Sequence, residues 1–317
     1  MTDETLTPTD LIEAVIMDGD DGLSIPESDE DVLLLENDIA EAPVAAMRNE
    51  DSDAFCTAFM GAAGGVGVTS LCIQMAHSLA ADMQKNMGKF SRSKEPRICL
   101  IDLDFEGGAC VHHLDLLPSL TMNDLMQSPD RIDRAFVSAL VTTHSSGIDL
   151  LAAPNTLGGN DMVNPMVVVA LLDLISQMYD YVIIDVPLYW RSWNMAAIGG
   201  SDRFCLVTDL TIPSLQLARL RMQAIEEKLG HTVTADIILN KHERRSFRNS
   251  LRQKDAETAL KRKITGTVCV DSDTVREAIN CGEPVGAIRP ESRYAKDVKT
   301  LQKQLIETTE NADLKAA

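Results

Sequence analysis

The sequence predicts an α/β fold: a three-layer, mostly parallel twisted sheet with helices on both faces, preceded by an acidic tail. Three observations predict it. From residue 53 onward, short and nearly continuous apolar runs alternate with helix-length stretches. Strands that are apolar at almost every position belong to a sheet covered on both faces, which is usually a parallel one. A glycine-rich turn, Ala63-Gly64-Gly65-Val66-Gly67-Val68-Thr69-Ser70, follows the first run and leads straight into a helical stretch. Several later runs end on a carboxylate or an amide, at the edge where such sheets present ligands.

In chain order, the first strand is expected over Phe55–Gly61, an apolar run, and the first helix over Leu71–Met83. Ile98-Cys99-Leu100-Ile101 marks a second strand within Arg97–Leu103, and Ile148–Ala152 a third. The stretch Met166–Met178 is apolar and long enough for a helix, and Val182-Ile183-Ile184 then marks a strand over Tyr181–Val186. Further strands are expected at Phe204–Val207, Ala235–Leu239 and Thr267–Val270, with helices at Leu215–Leu229 and Asp297–Thr308. Val298, Leu301, Leu305 and Ile306 recur at helical spacing. Glu307, Glu310 and Asp313 follow them and suit no anionic lipid surface, so this stripe is expected on the sheet rather than on a membrane. Trp190 and Trp193 are expected to be buried more than partner-facing. No internal repeat is evident. Residues 53–312 are read as one domain.

The formal charge of −19 is distributed unevenly. Residues 1–53 carry 17 acidic side chains against Arg48, a balance of −16, which leaves −3 for the remaining 264 residues. Such a segment cannot bury enough apolar surface to offset its ordering entropy, so residues 1–52 are expected to be a disordered tail. Two apolar islands interrupt it, Leu11 to Met17 and Val32 to Leu35, and these suit short partner-binding segments. Cys56, Cys99, Cys205 and Cys269 fall within apolar runs, and no C-x-x-C pair occurs. That argues against zinc or an iron–sulfur cluster and for a reducing cytoplasm. The N-terminus lacks a basic segment leading into an apolar core, and the longest apolar runs are too short to span a bilayer. Adjacent His112 and His113 have no suitably spaced third ligand, so a metal there is not expected.

The chemistry concentrates at the turn. Glycines at 64, 65 and 67 let backbone N–H groups approach an anion closely, and the helix N-terminus that follows adds a favourable dipole. Thr69 and Ser70 supply hydroxyls for Mg²⁺ and phosphate. The common spacing G-x-x-x-x-G-K-[ST] places Ala62 at the first glycine and Val68 at the lysine. The cradle is therefore present without the cation that best stabilises a transferring phosphoryl group. Asp102 and Asp104 end one strand, with period-two geometry placing them on one side; Asp185 ends another and Asn240 a third. Each is unremarkable alone, but in this order after a glycine loop they point to a nucleotide site.

These residues resemble the deviant-Walker ATPases of the MinD/ParA superfamily of P-loop NTPases, and within it the CpaE/TadZ-like proteins of tight-adherence (Flp) pilus assembly. The resemblance covers roughly residues 54–310. It is carried by Gly64 to Ser70, by Ile101-Asp102-Leu103-Asp104 with Gly107-Gly108 and Leu114-Asp115-Leu116, and by Tyr179-Asp180-Tyr181 to Pro187. Asp271-Ser272-Asp273, Gly282-Glu283-Pro284 and Ser292-Arg293-Tyr294-Ala295 match the closing segment. The resemblance implies ATP or ADP with Mg²⁺. Gly64, Gly65, Val66, Gly67 and Val68 would cradle the phosphates, with Ser70 facing the α-phosphate. Thr69 and Asp185 would hold Mg²⁺, Asp104 would be the catalytic carboxylate associated with the attacking water with Asp102 its partner near Mg²⁺, and Asn240 would read adenine. The signature lysine that crosses to a partner subunit's nucleotide is Ala63 here. Hydrolysis is therefore expected to be weak or absent. The expected role is a homodimeric scaffold or localisation protein that recruits pilus or secretion components. It would act in the cytoplasm, at the pole or at a membrane-associated machine. The alternative is a partitioning or positioning ATPase of ParA/MinD type with a DNA or membrane partner. The near-neutral body disfavours nucleic acid, although Arg244-Arg245, Arg248, Arg252 and Lys254 cluster.

Overall fold

Alternation along the strands sorts the apolar side chains onto two faces of one sheet. In strand β1 (Phe55–Gly61), Ala58 and Met60 point to one core and Phe59 to the other; in β2 (Ile98–Asp102), Cys99 and Ile101 oppose Ile98 and Leu100. The computed structural model describes residues 54–87, 97–126, 132–153, 163–230, 233, 235–243 and 251–316. The tail reading for residues 1–52 and the basic run Arg244–Arg248 lie outside them.

The remaining strands are β3 (Val141–Thr143), β4 (Asp149–Leu151), β5 (Tyr181–Val186), β6 (Arg203–Thr208), β7 (Ala235–His242) and β8 (Ile264–Cys269). They form one eight-stranded sheet in the order β3-β4-β2-β5-β1-β6-β7-β8. Every pairing is parallel except β3 with β4. Helices α1 (Val68–Met87), α2 (Ala109–His113), α9 (Ser272–Asn280), α10 (Val285–Ile288) and α11 (Arg293–Ala316) cover one face. The other face carries α3 (Met122–Met126), α4 (Arg134–Leu140), α5 (Pro165–Ser176), α6 (Ser192–Gly199), α7 (Ile212–Leu229) and α8 (Gln253–Leu260). This is the three-layer, mostly parallel architecture that the alternating pattern predicts.

Differences from the expected boundaries have local causes. The short antiparallel β3 follows α4 without a break and has no apolar run of its own. Strand β8 begins at Ile264, three residues before the expected start, and takes in Gly266, a residue that normally weakens a strand. Here the absent side chain makes room: a Cβ on Gly266 would sit 2.5 Å from Leu301 Cδ1 of α11. Strand β2 stops at Asp102, so Asp104 lies in the turn beyond it. The C-terminal stripe packs on the sheet, with Val298, Leu301 and Leu305 buried and Ile306 partly so. Trp193 is buried edge-on against Phe105, with ring centroids 5.9 Å apart, and Trp190 packs half-buried against the same core. Five of the seven cysteines are buried thiols, Cys56 is half-buried and Cys281 exposed. Among the described residues no helix is long and apolar enough to cross a membrane.

Candidate functional site

The glycine turn joins β1 to α1 at the carboxyl edge of the sheet, beside the central strands β5 and β6. Gly65 and Gly67 take left-handed backbone angles, φ 72° and 89°. At Gly67 the space is closed as well, because a Cβ would lie 2.9 Å from the Asn240 amide nitrogen. Three side chains from distant elements hold the outer carbonyls of the turn. Arg221 of α7 donates from Nε to Ala62 O (3.0 Å), Asn240 of β7 from Nδ2 to Val66 O (2.8 Å), and Lys241 from Nζ to Gly65 O (2.5 Å). Arg221 also donates to Leu188 O (2.8 Å), so it joins the turn to the segment after β5. Ala63 and Val68, where lysines would stand, pack half-buried on the α1 face of the core.

Opposite the turn stand the carboxylates. Parallel pairing of β2 with β5 sets Asp102 directly beside Asp185. Asp102 accepts from Asp104 N and Cys110 N, both at 3.0 Å, so each of its oxygens anchors the loop between β2 and α2. Asp104 accepts at one oxygen from Glu106 N, Gly107 N and the Tyr189 hydroxyl, at 3.2, 2.9 and 3.1 Å. Asp185 accepts from the Thr69 hydroxyl and from the Cys110 thiol at 3.9 Å. Burial pushes the pKa of Asp102 and of Asp185 above the usual carboxylate range; after burial the Asp102 charge raises Asp185 further, and the Asp104 charge adds to both. Asp102, Asp185 and Cys110 form the single group among the described residues whose ligand atoms lie close enough to hold a metal, all within 4.8 Å. Burial also raises the Cys110 thiol, which stays protonated, so the set offers oxygens suited to a hard cation.

Turn and carboxylates face each other across a cleft of about 640 Å³ lined by Gly61, Ala63, Gly65–Ser70, Asp102, Asp104 and Asp185. The structure thus brings together Gly65 to Ser70 and all three acids, while Gly64 does not line the cleft. Asn240 stands behind the loop, its Nδ2 engaged and its Oδ1 buried without a partner. Sequence reasoning passed over Glu106, His113, Leu188 and Tyr189, which also line the cleft. His113, set aside as one of a metal-like pair, contributes an imidazole whose pKa is lowered by burial and then by His112. Glu106, Leu188 and Tyr189 follow Asp104 and Asp185 within four residues on the same segments, whereas His113 reaches the wall from α2.

No protein-family model matches the chain, and no curated protein does. Solved structures do. A ParA family ATPase from Chlorobium tepidum TLS superposes with a TM-score of 0.68 at 20% identity, covering 78% of this chain and 98% of that one. The septum site-determining protein MinD from Pyrococcus horikoshii OT3, solved with Mg-ADP, gives 0.65 at 16% identity over 80% and 96%. The Cyanothece McdA(D38A)–ATP complex gives 0.59 at 19% identity over 80% and 97%. The fold is therefore that of ParA- and MinD-type P-loop ATPases.

Proposed function

Starting from that shared fold, we propose that this protein binds an adenine nucleotide with Mg²⁺ in the cleft between the glycine turn and the β2 and β5 carboxylates, and hydrolyses it weakly or not at all. The observation that carries the reading is the convergence of Thr69, Asp102 and Asp185 on a left-handed glycine turn across one cleft. The residues fit the group. Gly65 and Gly67 hold the left-handed angles that the turn needs, Thr69 and Asp185 are already hydrogen-bonded as a hydroxyl–carboxylate pair, and the donor set is hard oxygen. Gly64 to Val68 would offer backbone N–H groups to the phosphates, with Ser70 toward the α-phosphate. Mg²⁺ would be held by Thr69 and Asp185 and would neutralise phosphate charge. Asn240 Oδ1 is the atom left to accept from the adenine amino group. Asp104 stands at the open side of the cleft for an attacking water, and Asp102 holds the loop that carries it.

With Ala63 and Val68 in the lysine positions, nucleotide serves more as a structural ligand than as a fuel. On this reading the protein is a homodimeric scaffold or localisation factor of a tight-adherence pilus or related secretion machine, with the acidic residues 1–52 recruiting partners. The second reading, a partitioning or positioning ATPase acting on DNA or membrane, draws on the same neighbours but calls for an unengaged basic face. Two of the described basic residues, Arg262 and Lys263, are paired with Glu226 and Glu257, which favours the first. Calorimetry with Mg-ATP tests the proposal. Binding is expected, weaker by about one to two decades than with a loop lysine, since a charge-assisted hydrogen bond contributes about 1.5–3 kcal/mol. Gly67→Asp should abolish it. No binding at millimolar ATP would overturn the reading.

A further inference from the structure

The glycine turn has no lysine of its own, yet one reaches it from a strand 176 residues downstream. Lys241 is the penultimate residue of β7, and its Nζ lies 2.5 Å from Gly65 O. Its Cε is 3.9 Å from the point where a Cβ on Gly67 would stand. Neighbouring residues of a regular strand point to opposite faces. Asn240 and Lys241 nevertheless both grip the turn, on the adjacent carbonyls of Val66 and Gly65. The backbone makes this possible: Lys241 is left-handed, φ 53°, and the β7–β8 register breaks between Leu239 and His242. A non-glycine residue rarely adopts that conformation. The side chain is exposed, and among the described residues no carboxylate pairs with it. Its positive charge therefore rests on a neutral carbonyl at the rim of the cradle. The other cation on the turn, Arg221, is half-buried and held by two carbonyls, which suits a brace. Neither Arg191 nor Lys241 lines the cleft itself, but Lys241 is hydrogen-bonded to the turn that forms its wall.

We propose that Lys241 supplies the positive charge that phosphate loops otherwise take from the lysine preceding the Ser/Thr hydroxyl, its ammonium leaving the Gly65 carbonyl for a nucleotide phosphate oxygen. The proposal rests on the reading of the cleft as a nucleotide site. It explains how a loop with alanine and valine at both lysine positions keeps affinity for a polyanion. A lysine is a compact point charge on a flexible four-carbon stem, so the transfer requires side-chain rotation and no movement of the sheet.

The test is titration of the full chain with Mg-ATP, with adenosine measured by displacement of a fluorescent ATP analogue. Lys241→Gln keeps a donor for Gly65 O and removes the charge. It should weaken Mg-ATP about tenfold, leave adenosine unchanged and flatten the salt dependence of Mg-ATP binding. Lys241→Arg should retain most of the affinity. Lys241→Met serves as the neutral variant if Lys241→Gln does not fold. Unchanged Mg-ATP affinity in the neutral variant overturns the assignment, and so does an equal loss for ATP and adenosine, which would place Lys241 on the base. Failure of the unmodified protein to bind Mg-ATP at millimolar concentration is a different result. It would remove the nucleotide reading itself, and this assignment with it.

Discussion

Gly67 is the residue on which the turn depends most, for two separable reasons. Its φ of 89° is strained for any other residue, and the Asn240 amide closes the space a side chain would need. Gly67→Ala is expected to destabilise the fold by about 1–3 kcal/mol, read as a lower urea midpoint at unchanged m-value. Asp185 makes the opposite kind of statement. Burial, and after it the Asp102 charge, raises its pKa in the folded protein, so the native state holds a proton more tightly than the unfolded chain does. Native protein then binds more protons between the ordinary carboxylate pKa of about 3.9 and the raised value, and stability falls as pH rises through that window. Asp185→Asn should therefore raise the melting temperature of the nucleotide-free protein at pH 8 and change it little near pH 3. A variant equally stabilised at both pH values would contradict the electrostatic account. Gly64, Gly65, Gly67, Thr69, Asp102 and Asp185 were all legible in the sequence because turn chemistry and strand-end polarity are local. The Tyr189 bond to Asp104 and the grip of Lys241 were not, because each depends on a partner brought in from a distant segment.

At the scale of elements, two helices lock the sheet from opposite sides. Helix α11 lies along β8 and α1, with Leu301 over Gly266 and Leu305 buried beside it. Leu301→Ala should cost about 2–5 kcal/mol, because Gly266 leaves the resulting cavity no side chain to fill it. Denaturant melts would show this as a shift of the whole cooperative transition. Helix α7 acts more locally through Arg221, which satisfies the carbonyls of Ala62 and Leu188. Burial lowers the Arg221 pKa, yet a guanidinium remains charged at neutral pH. Arg221→Met leaves two carbonyls without their donor and should cost about 1–3 kcal/mol. Hydrogen exchange should then quicken at residues 62–66 more than in β6 or β7; uniform acceleration would mean a general loss of stability instead. The long strands and helices were readable from apolar periodicity. Strand β3 and the helices of five residues or fewer were not, because so few residues show no period and are set by what they pack against.

For the whole molecule, the formal charge is concentrated at one end of the chain. Residues 1–53 hold −16 of the −19 formal charge, and among the described residues the two apolar clusters of the sheet run from Ala54 to Ile306. Removing residues 1–52 should leave the melting temperature and Mg-ATP affinity of the remainder unchanged while abolishing partner pull-down. A truncated protein that still captured its partners would move the recruiting surface to the folded body.

The sequence by itself determined that a doubly covered parallel sheet would form, that a glycine turn would open its first helix, and that acids would end its strands. Those properties follow from local steric preference and from the two- and 3.6-residue periods of burial. Only the tertiary structure decided that β5 lies between β2 and β1, which sets Asp102 beside Asp185. It also decided that Lys241, 176 residues downstream, comes to rest on Gly65. Strand order is a global outcome of packing crossover helices on two faces, and no short stretch of sequence records which distant strand will become its neighbour.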